Sequence, residues 1–102
     1  MKAEPIARFF RGKTLQIEGY RVVFTQTSSV DTLYKGSSAL ALEVSVYTLT
    51  GTRLLDTNIL ITNLEKLTAK DLYTDISNKL QEIVGDQTKT DIELSRYFKE
   101  VK

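Results

Sequence analysis

Residues 39–62 constrain this chain more than any other stretch, because apolar residues alternate with others on both sides of Thr50 and Gly51. Leu40, Leu42, Val44 and Val46 form one set; Leu55, Thr57, Ile59 and Ile61 form the other. A period of two is the signature of a strand with one buried face. Folding the stretch about Thr50 and Gly51 pairs Val46 with Leu55, Val44 with Thr57, Leu42 with Ile59 and Leu40 with Ile61. A slip of one residue would turn one set into water, so the hydrophobic pattern specifies the register. Glycine second in the turn favours a type I′ turn or a bulged variant. The same register sets Ala41 opposite Leu60 and Tyr47 opposite Leu54 on the outward face, making that face more apolar than solvation requires.

A shorter hairpin precedes it. Residues 14–18 and 21–25 read as strands joined by Gly19 and Tyr20, with glycine first in the loop as a type II′ turn demands. That turn would face Glu18 to Arg21, Ile17 to Val22 and Leu15 to Phe24. Upstream, residues 5–12 predict a short helix with Pro5 at its first position and Gly12 just past its end. Ile6, Phe9 and Phe10 would share its inward face. Between the hairpins, residues 27–38 are rich in turn formers and predict a long loop bearing an apolar island at Val30, Leu33 and Tyr34.

Downstream, Thr68 and Asp71 form a capping-box pattern, and Leu67 is placed to staple onto Leu72. The helix they start predicts a stripe of Leu72, Ile76, Leu80 and Ile83, ending at Val84 with Gly85 as its terminating glycine. A second short helix is expected from Thr90, whose side chain can pair with Glu93, carrying Leu94, Tyr97, Phe98 and Val101. The expected fold is therefore one α+β domain over residues 1–102. It comprises a four-stranded antiparallel sheet of two hairpins, a long amphipathic helix on one face, and short N-terminal and C-terminal helices.

The chemistry is bounded by the absence of histidine and cysteine from the 102 residues. Those side chains supply most proton transfer near neutral pH, thiol nucleophiles and transition-metal ligands. Gly12, Lys13 and Thr14 match the end of a phosphate-binding loop, but the glycine required five positions earlier is Ala7. They read instead as a helix end followed by a strand start. Among carboxylates, Asp71 is explained as a capping acid and Asp75 as a helical partner of Lys79; Glu43 and Asp56 would lie diagonally on the outward sheet face. No catalytic residue, cofactor or metal is implied.

The remaining signals concern binding. The outward sheet face, through Ala41, Tyr47, Leu54 and Leu60, awaits a cover, either the C-terminal helix through Leu94, Phe98 and Val101 or a partner subunit. The island at Val30, Leu33 and Tyr34 is a second contact candidate. Residues 1–36 hold six Lys or Arg against three acids, in a chain of net charge +1. Arg8, Arg11, Lys13 and Arg21 thus offer an alternative, a nucleic-acid interface, although such binders usually carry a stronger basic excess. The expected function is a non-catalytic interaction or assembly module, self-associating or a small subunit of a larger complex. Its first residues lack the apolar run of a signal peptide, and no later run reaches membrane-spanning length; cytoplasm is the expected location.

Overall fold

The computed structural model describes residues 1–31 and 38–101. Helix α1 (Ala3–Phe10) leads into strands β1 (Thr14–Ile17), β2 (Tyr20–Asp31), β3 (Ser38–Thr48) and β4 (Arg53–Ile61). A 3-10 turn (Leu64–Lys66) then precedes helix α2 (Ala69–Ser95). The strands form one antiparallel sheet in the order β1-β2-β3-β4, and both helices lie against its inward face, giving the expected α+β architecture.

The long hairpin keeps its predicted register at Leu40 and Ile61, Leu42 and Ile59, Val44 and Thr57, and Val46 and Leu55. Leu40, Leu42, Val44, Val46 and Ile61 are fully buried and join Val22, Phe24 and Ile59 in the core. Near the turn the pairing changes. Tyr47 faces Arg53, not Leu54, because β4 carries Leu54 as an extra residue in a bulge. Thr48 and Thr52 close the loop through the Thr48 amide and the Thr52 carbonyl at 2.8 Å. Gly51 supplies the left-handed backbone there, at φ 97°.

The first hairpin turns at Glu18 and Gly19, one residue before the expected loop, and pairs Ile17 with Tyr20, Gln16 with Arg21 and Leu15 with Val22. Since the pairing moves by two residues, the apolar set stays on the inward face. The positive φ of 53° falls on Glu18 rather than on glycine. Its carboxylate accepts hydrogen bonds from Ser77 Oγ at 3.0 Å and the Tyr73 hydroxyl at 3.4 Å. These bonds to α2 offset the steric cost of a left-handed non-glycine residue.

The expected loop at residues 27–38 begins as strand instead, since β2 runs on to Asp31. Its apolar alternation disappears because Thr25 is an extra residue in a bulge between the Phe24 and Gln26 pairings, donating its hydroxyl to the Glu43 carbonyl at 3.0 Å. The bulge inverts the phase, so Thr27 and Ser29 point inward. Thr27 is buried and donates to the Ala7 carbonyl at 2.7 Å, while Ser29 donates to Glu4 at 2.9 Å. Helix α1 is thereby sewn to the sheet by hydroxyls where a hydrophobic pattern would have been legible. Its buried face is Ala3, Ile6, Ala7 and Phe10, and Gly12 at φ 72° ends it.

Helix α2 begins with the predicted capping box: the Asp71 amide donates to Thr68 Oγ1 at 3.1 Å and the Thr68 amide to Asp71 at 3.0 Å. It does not stop at Val84. One continuous helix of 27 residues passes through Gly85, and Thr90 lies in its interior rather than starting a second helix. An interior glycine costs only about 1 kcal/mol relative to alanine, and Gly85 does not adopt the left-handed conformation that a terminating glycine needs. Thr88 and Gln87 make local hydrogen bonds to Val84 and Asp91 across the expected break.

The capping amide of Thr68, followed by the Thr68 hydroxyl, holds the Asp71 carboxyl below the ordinary carboxylate range. On β4, hydrogen bonds from Ser45 and then Arg53 do the same for Asp56. A depressed carboxyl pKa contributes stability that is present above the unfolded-state value and lost as pH falls through the folded-state value. The melting temperature is therefore expected to fall as pH drops below about 4, and Asp71→Asn and Asp56→Asn should each flatten this acid limb in a pH series of thermal melts.

Candidate binding cleft

A cleft of about 710 Å³ opens where α1, β1 and the first turns of α2 converge. Pro5, Ile6 and Phe9 line it from α1, Leu15 and Ile17 from β1, and Leu72, Tyr73 and Ile76 from α2. Each element presents its apolar side for a local reason. Helical spacing places Ile6 and Phe10 toward the sheet and leaves Phe9 at the margin. Strand alternation turns Leu15 and Ile17 the same way as Val22, and the stapled start of α2 sets Leu72 and Ile76 above them.

Phe9 therefore departs from the expected shared inward face. It is 55% exposed, while Phe10 is buried and stacks on Phe24 with ring centroids 4.8 Å apart. Phe9 meets Phe10 edge-on at 5.1 Å, and the Lys13 ammonium sits 3.5 Å from the Phe9 ring centroid. Tyr73 is 49% exposed across the cleft, and the Glu18 bonds to Tyr73 and Ser77 tie the β1-β2 turn to α2. Lys2 and Gln16 are the other polar residues on the lining, Gln16 with its side chain on the outward side beside Arg21. The cleft is thus lined mainly by apolar groups, with the cations Lys2 and Lys13 at its edge. Its volume lies within the range of about 300–1,000 Å³ typical of ligand sites. No single stretch of sequence signals this cleft, because its walls come from three separated segments.

The sequence-predicted contact residues are dispersed. Ala41 and Leu60 form a cross-strand pair as expected, with Leu60 55% exposed. Val30 pairs with Ala39 at the same end of the outward face. Leu33 and Tyr34 lie outside the described residues. Tyr47 and Leu54 lie toward the other end, beyond Glu43, Ser45, Asp56 and Asn58. Ser45 donates to Asp56 at 2.6 Å, and Arg53 also pairs with Asp56. A polar centre thus separates two small apolar islands, and a shallow groove of about 310 Å³ lies over Gln26, Ala41, Asn58 and Leu60. Leu94, Phe98 and Val101, expected as a cover for this face, do not dock on it. Leu94 and Phe98 are 50% and 73% exposed, because the continuous helix, and the turn that follows Ser95, carry them along its axis.

The basic residues are likewise divided. Arg8 pairs with Glu4 at 3.7 Å, Arg11 donates to the Thr27 carbonyl at 3.4 Å, and Lys13 covers Phe9. All three surround the end of α1 on the inward side of the sheet. Arg21 alternates with the buried Val22, so it projects from the outward side, where it donates to the Leu49 carbonyl. Among the described residues, no group of three acidic side chains converges to hold a metal ion, and no helix is long and apolar enough to cross a membrane. In comparisons with known proteins, no family model, curated protein or solved structure matches this chain.

Proposed function

We propose that this chain is a non-catalytic interaction module that self-associates, and that the distal part of α2 is its contact element. One observation carries the reading. From Gly85 to Val101 every residue is exposed, yet Leu94, Tyr97 and Phe98 recur at helical spacing, with Tyr97 79% exposed. Backbone bonds from Tyr97 and Phe98 to the Leu94 carbonyl, at 3.0 and 2.9 Å, continue the turn that presents them together.

The same helical face is polar where it first leaves the sheet, at Gln87 and Asp91, and turns apolar again beyond them. A face selected only for solvation would have stayed polar, since each exposed aromatic forfeits roughly 25 cal/mol for every Å² left in water. Size-exclusion chromatography with light scattering, from micromolar to millimolar protein, tests the proposal. A concentration-dependent dimer is expected, and the double substitution Leu94→Ser with Phe98→Ser should return it to monomer without changing the melting temperature in dilute solution, where no dimer forms. A strict monomer at every concentration overturns the reading.

A further inference from the structure

We infer that the distal turns of α2 in one copy seat in the α1-β1-α2 cleft of a second copy, and that the exchange is reciprocal. This rests on the self-association proposed above and adds where the contact element binds. Among the described residues the apolar cleft and the exposed apolar stripe are held apart within one copy. Ile76 lines the cleft, and Leu94 follows 18 residues later on the same unbroken helix. At 1.5 Å per residue that is about 27 Å along a rigid rod. In a second copy the restriction vanishes.

The shapes and charges agree. Leu94, Tyr97 and Phe98 fall at i, i+3 and i+4, the spacing by which an amphipathic helix lays anchors into a hydrophobic groove. By the 3.6-residue repeat, Asp91 flanks this stripe, while Glu93 lies further round the helix and pairs with Arg96 at 3.9 Å. The cleft edge is cationic, through Lys2 and Lys13. Asp91 beside the stripe thus meets bases beside the cleft.

Area also favours exchange over stripe-on-stripe pairing. A stable interface covers about 800 Å² per partner, and a large aromatic side chain buries roughly 150–250 Å². One stripe containing two aromatics falls short of that. A copy that gives a stripe and also lends a cleft doubles its buried surface, and a twofold arrangement uses both surfaces twice and closes the assembly.

Because the chain has no cysteine, directed disulfides read the contact without background. Ala69→Cys at the cleft and Ser95→Cys on α2 are both exposed positions. Oxidising an equimolar mixture of the two variants should give mainly the mixed disulfide on a non-reducing gel, with little cross-linking of either variant alone. Tyr73→Arg at the cleft mouth should raise the dimer dissociation constant about tenfold or more, as loss of a central aromatic anchor does. Dimers that cross-link only Ser95→Cys to itself, with association unaffected by Tyr73→Arg, would overturn the cleft assignment while leaving self-association intact. The cleft would then be free for another apolar ligand. A strict monomer would overturn both.

Discussion

Phe24→Ala is expected to cost about 3–5 kcal/mol of folding stability, out of the roughly 5–15 kcal/mol that a domain of this size possesses. Phe24 is 1% exposed and stacks on Phe10, whose ring planes meet at 27°. It therefore joins the sheet to α1 as well as filling the core, and truncation leaves a cavity at the junction of the two layers. Urea unfolding followed by circular dichroism should show a large drop in midpoint at an unchanged slope, the mark of lost stability without a change in the surface exposed. Phe9→Ala, one residue from the stacking partner but half in water, should cost less than about 1 kcal/mol. Equal effects of the two substitutions would contradict the inward orientation of Phe10 and Phe24.

The second large effect separates two neighbours on β4. Ile59→Ser should destabilise by about 2–5 kcal/mol for the lost side chain, plus about 1–3 kcal/mol if the new hydroxyl finds no partner. Leu60→Ser should stay within about 1 kcal/mol. Ile59 is 2% exposed and faces Leu42, whereas Leu60 is 55% exposed and faces Ala41. Thermal melts of the two variants measure the difference directly, and a reversal of their order would mean that the hairpin is out of register by one residue.

Much of this architecture was legible from residues alone, and the reason is local in each case. The pairing of Leu40 with Ile61 through Val46 with Leu55 follows from alternation, because any odd slip exposes an entire apolar set. Thr68 and Asp71 announce the start of α2, because a capping box satisfies two backbone amides within one turn. The errors have an equally definite origin. Thr25 and Leu54 are bulge residues, and an inserted residue inverts alternation without leaving a compositional trace. That is why Tyr47 was set against Leu54; residues 27–31 resembled a loop through their turn-forming composition, with the phase inverted at Thr25 leaving no apolar alternation to oppose it. Gly85 resembled a helix end because glycine's preference for terminating a helix is real but weak.

The candidate site was less legible than the fold. Leu94, Tyr97, Phe98 and Val101 were recognised as an apolar set, but their position in space depended on whether α2 broke at Gly85. Broken, the segment could have folded onto the outward sheet face; unbroken, it extends away from the core. The basic residues behave similarly, since Arg8, Arg11 and Lys13 stay together around the end of α1 while strand alternation places Arg21 across the sheet.

Sequence by itself determined the strand pairing of the long hairpin through Leu40 to Val46, the start of the long helix and the apolar inward faces of that hairpin and of α2, all of which depend on interactions repeating every two or every three to four residues. Only the tertiary structure decided the turn at Glu18, the hydroxyl stitching of Thr27 and Ser29 to α1, and the meeting of Phe9, Leu15 and Tyr73 around one cleft. Those features arise from contacts between segments far apart in the chain, such as Glu18 with Ser77, and no periodicity within either segment encodes the other's position.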